Sequence, residues 1–334
     1  MKKTVAFSKH ATNVFFHILT NCNLKCRHCY INKKQHGENT LSLETIEAWL
    51  EVFAKKSKAA NVIFLGGEPT LHPDLSLAIK KAKTLGYSSI TVDTNGYMFH
   101  DILYKADPDE IDYFSFSLDG ATRKTNDMIR GEGSYDKCIS GIKKAIFNGF
   151  ATSLIYTVSR KNIHELDMMV PLLKDLGANR FFIQVIGIRG KAANSGQEKL
   201  QVSRTQWLKI IPDVAAKVAG LGIIVAYPKV FLDLDEPFEC AGLVAENYFI
   251  FPNGRVYRCP LCEDFPLHSK VFKDNMLVNS PKINENDLFK LNITEGCVMN
   301  KLIQPDNLSY DSDGMPEYKI ACCMLKAEVS PNLL

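Results

Sequence analysis

Residues 61–96 read NVIFLGGEPTLHPDLSLAIKKAKTLGYSSITVDTNG. The stretch opens on a short apolar run, 61–67, which predicts a strand. Over 74–85 the apolar positions recur three and four apart, the period of an amphipathic helix, and Gly86 follows where that helix would end. A second strand is predicted over 89–94. A strand, a crossover helix and a strand of these lengths form a unit whose strands lie parallel and whose connection is right-handed.

The same alternation runs outward in both directions. Strands are predicted over 14–20, 113–118, 152–158 and 180–186, and helices over 42–57, 96–106, 135–147 and 162–176. Ser42 suits an N-cap, and Gly149 and Gly177 follow the helices they would terminate. A sixth helix, 203–219, and a short strand, 222–227, close the region. Repeated βα units imply a parallel sheet, either doubly wound or closed toward a barrel, with chemistry at the carboxyl ends of the strands. Those ends carry NCNLKCRHCY, GGEPTLHP, DTNGY, SLDGAT and IGIRGKA. From about residue 228 the texture changes to Pro, Asn, Asp and Cys with short strands at 248–251 and 255–257, which predicts two domains, 1–227 and 228–334.

The chain has 334 residues, 46% apolar, enough for one barrel-sized domain and a small second one. A net charge of +3 with interspersed acids and bases gives no field for nucleic acid or an anionic membrane. The N-terminus lacks the long apolar run of an export signal, and no stretch reaches the roughly 18 to 20 apolar residues of a membrane span, so a cytoplasmic protein is expected. In that compartment the ten cysteines are thiolates for metal; three fall within eight residues and six lie beyond residue 239.

Cys22, Cys26 and Cys29 follow the first strand with three and then two residues between them. Three thiolates on one loop can occupy three corners of an iron–sulfur cubane and leave the fourth iron open, whereas a structural zinc prefers a fourth protein ligand, for which His28 or His36 would have to serve.

NCNLKCRHCY resembles the CX3CXΦC signature of the radical S-adenosylmethionine superfamily, with His28 at the Φ position. The resemblance covers roughly 15–190 and implies a partial (β/α)6 TIM-like barrel, a [4Fe–4S] cluster on Cys22, Cys26 and Cys29, and S-adenosylmethionine as cofactor. It implies further that the Gly67 and Glu68 segment of GGEP meets the amino group of that cofactor. Ser117 of SLDG would meet its ribose or carboxylate region, Arg130 its methionyl carboxylate, and Ile186 its adenine.

Cys240, thirteen residues, Gly254, four residues and Cys259 resemble the opening of the SPASM or twitch extension, CX(9–15)GX4C. Asn253 and Gly254 predict the turn of a hairpin that brings two thiolates to one metal. The dense cysteine run of a full SPASM domain is missing, so one auxiliary [4Fe–4S] or [2Fe–2S] cluster is expected. Its ligands would be Cys240 and Cys259 with two more from Cys262, Cys297, Cys322 and Cys323; zinc is the alternative. Cys138, alone on a helix, is read as a small buried residue.

The chemistry this implies is reductive cleavage of S-adenosylmethionine to a 5′-deoxyadenosyl radical that takes hydrogen from a substrate, with a flavodoxin or ferredoxin-type reductant as partner. Asp93, Asn95, Asp119, Gln184 and Arg189 are candidates for polar work at strand ends; no general acid or base is assigned. In sulfatase-maturating members an aspartate base follows the hairpin cysteine, and here Pro260 stands in its place. The expected substrate is a ribosomally made peptide, with a small molecule or cofactor precursor as the alternative. About thirteen residues precede the first strand, too few for the leader-binding domain of many peptide-modifying relatives.

Overall fold

Strand β2 (Thr12–His17) starts a run of seven parallel strands: β3 (Ala60–Leu65), β4 (Ser89–Thr94), β5 (Tyr113–Ser117), β6 (Thr152–Val158), β7 (Arg180–Val185) and β8 (Ile224–Pro228), each paired with the one before. The short β1 (Lys3–Val5) precedes them. This is a computed structural model, and it describes residues 3–5, 12–57, 59–194 and 198–329; most of the stretch before residue 12, read above for an export signal, lies outside the described residues.

Period-two alternation divides each strand between two environments. Val14, Phe16, Val62, Phe64, Val92, Phe114, Phe116 and Leu154 are buried. The residues between them, Phe15, Ile63, Leu65, Thr91, Asp93, Tyr113, Ser115, Ser153 and Ile155, line one shared cavity. In-register pairing sets Phe16 beside Phe64, with ring centroids 6.4 Å apart. Each such buried side chain contributes about 2–3 kcal/mol. The fold is the partial α/β barrel expected from the repeated units, and its sheet stays open, with β2 and β8 each paired on the outside to a strand of the C-terminal segment.

The C-terminal segment supplies both flanks of that sheet. Beyond β9 (Phe231–Leu232), β10 (Glu246–Ile250) adds parallel to β2, and β11 (Arg255–Tyr257), β12 (Lys270–Lys273) and β13 (Met276–Asn279) continue antiparallel. After β14 (Lys319–Ile320), which pairs with β9, strand β15 (Lys326–Val329) lies antiparallel to β8. The expected hairpin is there, with Gly254 at φ +82°, and Asn253 donates to the Gln35 carbonyl at 2.6 Å, tying the turn to the barrel.

Helix Leu43–Lys56 is capped by Ser42, whose hydroxyl accepts the Thr45 amide, and helix Met169–Leu176 stops at Gly177 with φ 72°. Two expected helices are corrected. Over 96–106 the chain forms only the 3₁₀ turn Phe99–Asp101 and the short helix Ile102–Lys105, because Met98, His100 and Asp101 take left-handed backbone. The helix expected from residue 162 begins at Met169, since the Asn162 side chain accepts the Ser159 amide and donates to the Asp119 and Thr157 carbonyls, a loop arrangement. Helix Arg123–Arg130, capped by Thr122, was not anticipated.

Candidate active site

The cysteine loop leaves β2 and is pinned by the carboxyl ends of its neighbours. The Glu68 amide donates to the Asn21 carbonyl at 3.0 Å, and the Lys191 amide to the Cys29 carbonyl at 2.8 Å. The Arg27 amide donates to the Ile129 carbonyl at 2.9 Å, and Asn95 to the Asn23 side chain at 2.8 Å. The glycines of GGEP serve this packing: a Cβ on Gly67 would lie 2.1 Å from the Asn21 carbonyl oxygen, and one on Gly66 would lie 2.7 Å from that of Leu19.

The cavity that this loop roofs has a volume of about 550 Å³. Cys22, Cys26 and Cys29 line it, and so do His28, Gly67, Glu68, Ser117, Arg130 and Ile186, so the strand-end motifs, up to 164 positions apart in sequence, converge on one space. Asp93, Asn95, Gln184 and Arg189 also face it. Burial pushes the Cys22 thiol up to about 12 and raises Cys26 as well, so these sulfurs keep their protons until a metal replaces them. His28 Nδ1 is buried in the cavity wall with no hydrogen-bond partner, as expected where a ligand completes the wall. Three soft donors on one loop and an orphaned ring nitrogen beside them fit a cluster and its ligand. Among the described residues no group of three His, Cys, Asp or Glu side chains forms a site for a single metal ion; ligands of one zinc stand closer together than thiolates on separate irons.

Behind the loop, Asp119 is fully buried. Its Oδ2 lies 2.6 Å from Arg130 Nε and 2.9 Å from His28 Nε2, and its Oδ1 accepts the Thr157 amide at 2.7 Å. Burial alone would raise this carboxyl, but the Arg130 charge, His28 and the Thr157 amide outweigh it and hold it at about 2. The expected candidate Asp119 therefore orients two cavity-facing side chains instead of facing the cavity itself. The Glu68 carboxylate is likewise committed: it accepts from the Thr70 amide and hydroxyl, the Thr94 hydroxyl and the Asn95 amide, joining the ends of β3 and β4.

The floor was not legible beforehand. Lys326, from the last strand, enters the cavity with Nζ 4.1 Å from the Phe182 ring centroid and is electrostatically coupled to Asp93. The one signal for it is the polar face that Lys326 and Glu328 make in KAEV, and only strand pairing turns that face inward. Burial raises Asp93 to about 7, opposed by Ser115 and Lys326. An acid with a raised folded-state pKa binds its proton more tightly when folded, so Asp93 makes stability fall as pH rises from 3.8 to about 7. Asp93→Asn is expected to remove that part of the slope in thermal melts across this window; an unchanged slope refutes the assignment.

In the C-terminal segment, Cys240, Cys259, Cys297, Cys322 and Cys323 line a second, small cavity between Phe289 and Met299. Cys262 is not on its wall; it is buried next to Cys259. Burial pushes Cys240 and Cys297 up to about 12. A small apolar chamber lined by this many thiols suits a metal centre.

Residues 17–181 match the sequence profile of the Radical SAM superfamily. This is a radical SAM domain. Membership implies a [4Fe–4S] cluster and S-adenosylmethionine. The chain is 33% identical over 163 residues to a probable GTP 3′,8-cyclase of Saccharolobus islandicus, a match covering 48% of this chain and 53% of that protein. Identity to an Fe-coproporphyrin III synthase of Methanosarcina barkeri is 27% over 238 residues, 70% of this chain and 59% of that one. The chain thus spans little more than half the length of these relatives. In fold it is similar to Streptococcus suis SuiB, with TM-score 0.59 and 16% identity over 90% of this chain and 67% of SuiB. It is also similar to native anSMEcpe with bound AdoMet, with TM-score 0.59 and 11% identity over 91% and 85%. Among the described residues no helix is long and apolar enough to cross a membrane.

Proposed function

We propose that this protein cleaves S-adenosylmethionine at a [4Fe–4S] cluster held by Cys22, Cys26 and Cys29 and directs the resulting radical at a ribosomally made peptide, with an auxiliary iron–sulfur centre in the C-terminal segment. The observation that carries the reading is the convergence of the three thiols and five strand ends on one cavity. When bound, the cluster and its ligand supply a 5′-deoxyadenosyl radical that takes a hydrogen atom from substrate.

The chain's own residues do the positioning. Gly67 and the Glu68 backbone take the amino group of the cofactor. Arg130, its Nε facing Asp119, offers the rest of its fork to the carboxylate. Ser117 meets the ribose side, and His28 and Ile186 flank the remainder. The segment from 228 acts as the auxiliary domain, a cytoplasmic flavodoxin or ferredoxin supplies the electron, and the product is a crosslinked, epimerised or oxidised peptide.

Peptide as substrate draws on the likeness in fold to SuiB, which has been solved bound to precursor peptide SuiA. A small-molecule substrate is the second reading: the cavity of about 550 Å³ lies in the range that encloses one small ligand, and the relatives in sequence carry small-molecule names.

Anaerobic reconstitution followed by iron counting and a 5′-deoxyadenosine assay tests the reading. About eight irons with turnover supports two clusters; about four with turnover removes the auxiliary one. Cys259→Ala is expected to keep 5′-deoxyadenosine formation, lose about four irons and lose substrate product. Unchanged iron in that variant refutes an auxiliary centre on Cys259.

A further inference from the structure

The small cavity of the C-terminal segment is lined by five cysteines, one more than a four-thiolate centre takes. Cys240 and Cys297 each interact most strongly, among charged neighbours, with Cys322, whose carbonyl accepts the Leu325 amide at 3.0 Å.

Cys323, the next residue, differs in what it faces. It lines the small cavity and the large one together, the only one of the five to do so. Its sulfur interacts with Cys259 and Cys297 and also with Arg189 and Lys326, both on the wall of the large cavity.

A second feature of the same wall points to a ligand. Glu263 is 1% exposed and pairs through Oε2 with Arg189, whose guanidinium stacks on Tyr30 at 4.4 Å. Its other oxygen, Oε1, is buried with no hydrogen-bond partner. An orphaned carboxylate oxygen costs stability unless a ligand brings a donor to it.

We infer that Cys323 is no ligand of the auxiliary centre but a thiol turned toward the substrate cavity, on the wall that also carries a Glu263 oxygen able to take an N–H or O–H donor of the substrate. The inference rests on the auxiliary iron–sulfur reading above and assigns its four ligands as Cys240, Cys259, Cys297 and Cys322. The substrate that fits this cavity presents an amide, amine or hydroxyl hydrogen to Glu263 and meets the soft Cys323 sulfur on the same wall. Cys29 lines the same cavity, so the proposed cluster site and this wall open on one space.

The test is a brief pulse of iodoacetamide on the anaerobically reconstituted full chain, followed by peptide mapping and iron counting. Cys323 is expected to be alkylated at least roughly tenfold faster than the four ligands, whose sulfurs the metal occupies, with the iron content unchanged. Cys323→Ala is expected to retain the iron and the spectroscopic signature of both centres, and Cys322→Ala to lose those of the auxiliary centre. Protection of Cys323 together with the other four, or loss of auxiliary iron in Cys323→Ala, overturns the inference. Equal labelling of all five with an iron count near four removes the auxiliary centre itself, a result distinct from protection of Cys323. The labelling pattern of the unaltered chain decides the matter even where a variant fails to fold.

Discussion

Cys26→Ala is expected to abolish 5′-deoxyadenosine formation and to lower the iron content of the reconstituted protein by about four atoms per chain. Cys26 is the middle thiol of the loop; its sulfur lies 3.8 Å from the Arg130 carbonyl, and the Cys29 amide donates to the Cys26 carbonyl at 3.3 Å. Two remaining thiolates cannot hold three corners of a cubane, and no neighbouring side chain in the loop offers a soft replacement. Cys138→Ala is the matched control. Cys138 is buried on helix Ser134–Phe147 with its thiol 3.6 Å from the Ser117 carbonyl, outside the cavity lining, so its loss leaves iron and turnover in place. Retained 5′-deoxyadenosine in Cys26→Ala sinks the site assignment.

Asp119→Ala is expected to cost about 3–5 kcal/mol of stability, because it leaves Arg130 buried without its counter-charge and removes the partner of His28 Nε2. The Asp119 carboxyl is held at about 2, so the stability it contributes is fully present above its unfolded value of 3.8 and is lost only as pH falls toward about 2. The deficit of the variant should therefore be constant from neutral pH down to mildly acid conditions. Asp119→Ala combined with Arg130→Met should recover part of the loss, since removing both charges is less costly than stranding one. Urea unfolding of the four proteins closes the cycle. A loss below about 1 kcal/mol in Asp119→Ala would mean that the pair is solvated and does not support the loop.

Reading strands and helices from the sequence worked where one local force dominated. The runs at 61–67 and 152–158 are strands because apolar residues of alternating environment leave a short chain no other way to bury them. It failed at 96–106, where the expected periodicity was overridden by three left-handed residues that turn the chain after β4. It also missed helix Arg123–Arg130, whose polar sequence gives a weak apolar stripe; Thr122 caps it, and Glu165, from a distant loop, holds the cap by accepting the Thr122 amide and hydroxyl.

The candidate site divides in the same way. The three loop cysteines and GGEP could be read directly, because metal-ligand spacing and glycine content are local properties of the chain. The purpose of the glycines could not, since what a Cβ on Gly67 meets is a carbonyl 46 positions earlier. Nor could the fate of Glu263, which follows Cys262 unremarked in the sequence and becomes a buried, half-satisfied carboxylate only when Arg189 reaches it from the end of β7.

The amino-acid sequence by itself determined the alternation of strands and helices, the parallel sheet, the three-cysteine loop and the hairpin around Gly254, because each depends on periodicity or spacing within some thirty residues. Tertiary structure alone decided that the C-terminal segment flanks the barrel sheet on both sides and that Lys326 reaches its floor. It also decided that Asp119 serves His28 and Arg130 and that Cys323 borders two cavities. The physical reason is that these are pairings between positions far apart along the chain. Their favourable energy comes from burying charge beside opposite charge and from completing sheet edges, and neither leaves a local trace in the order of the residues.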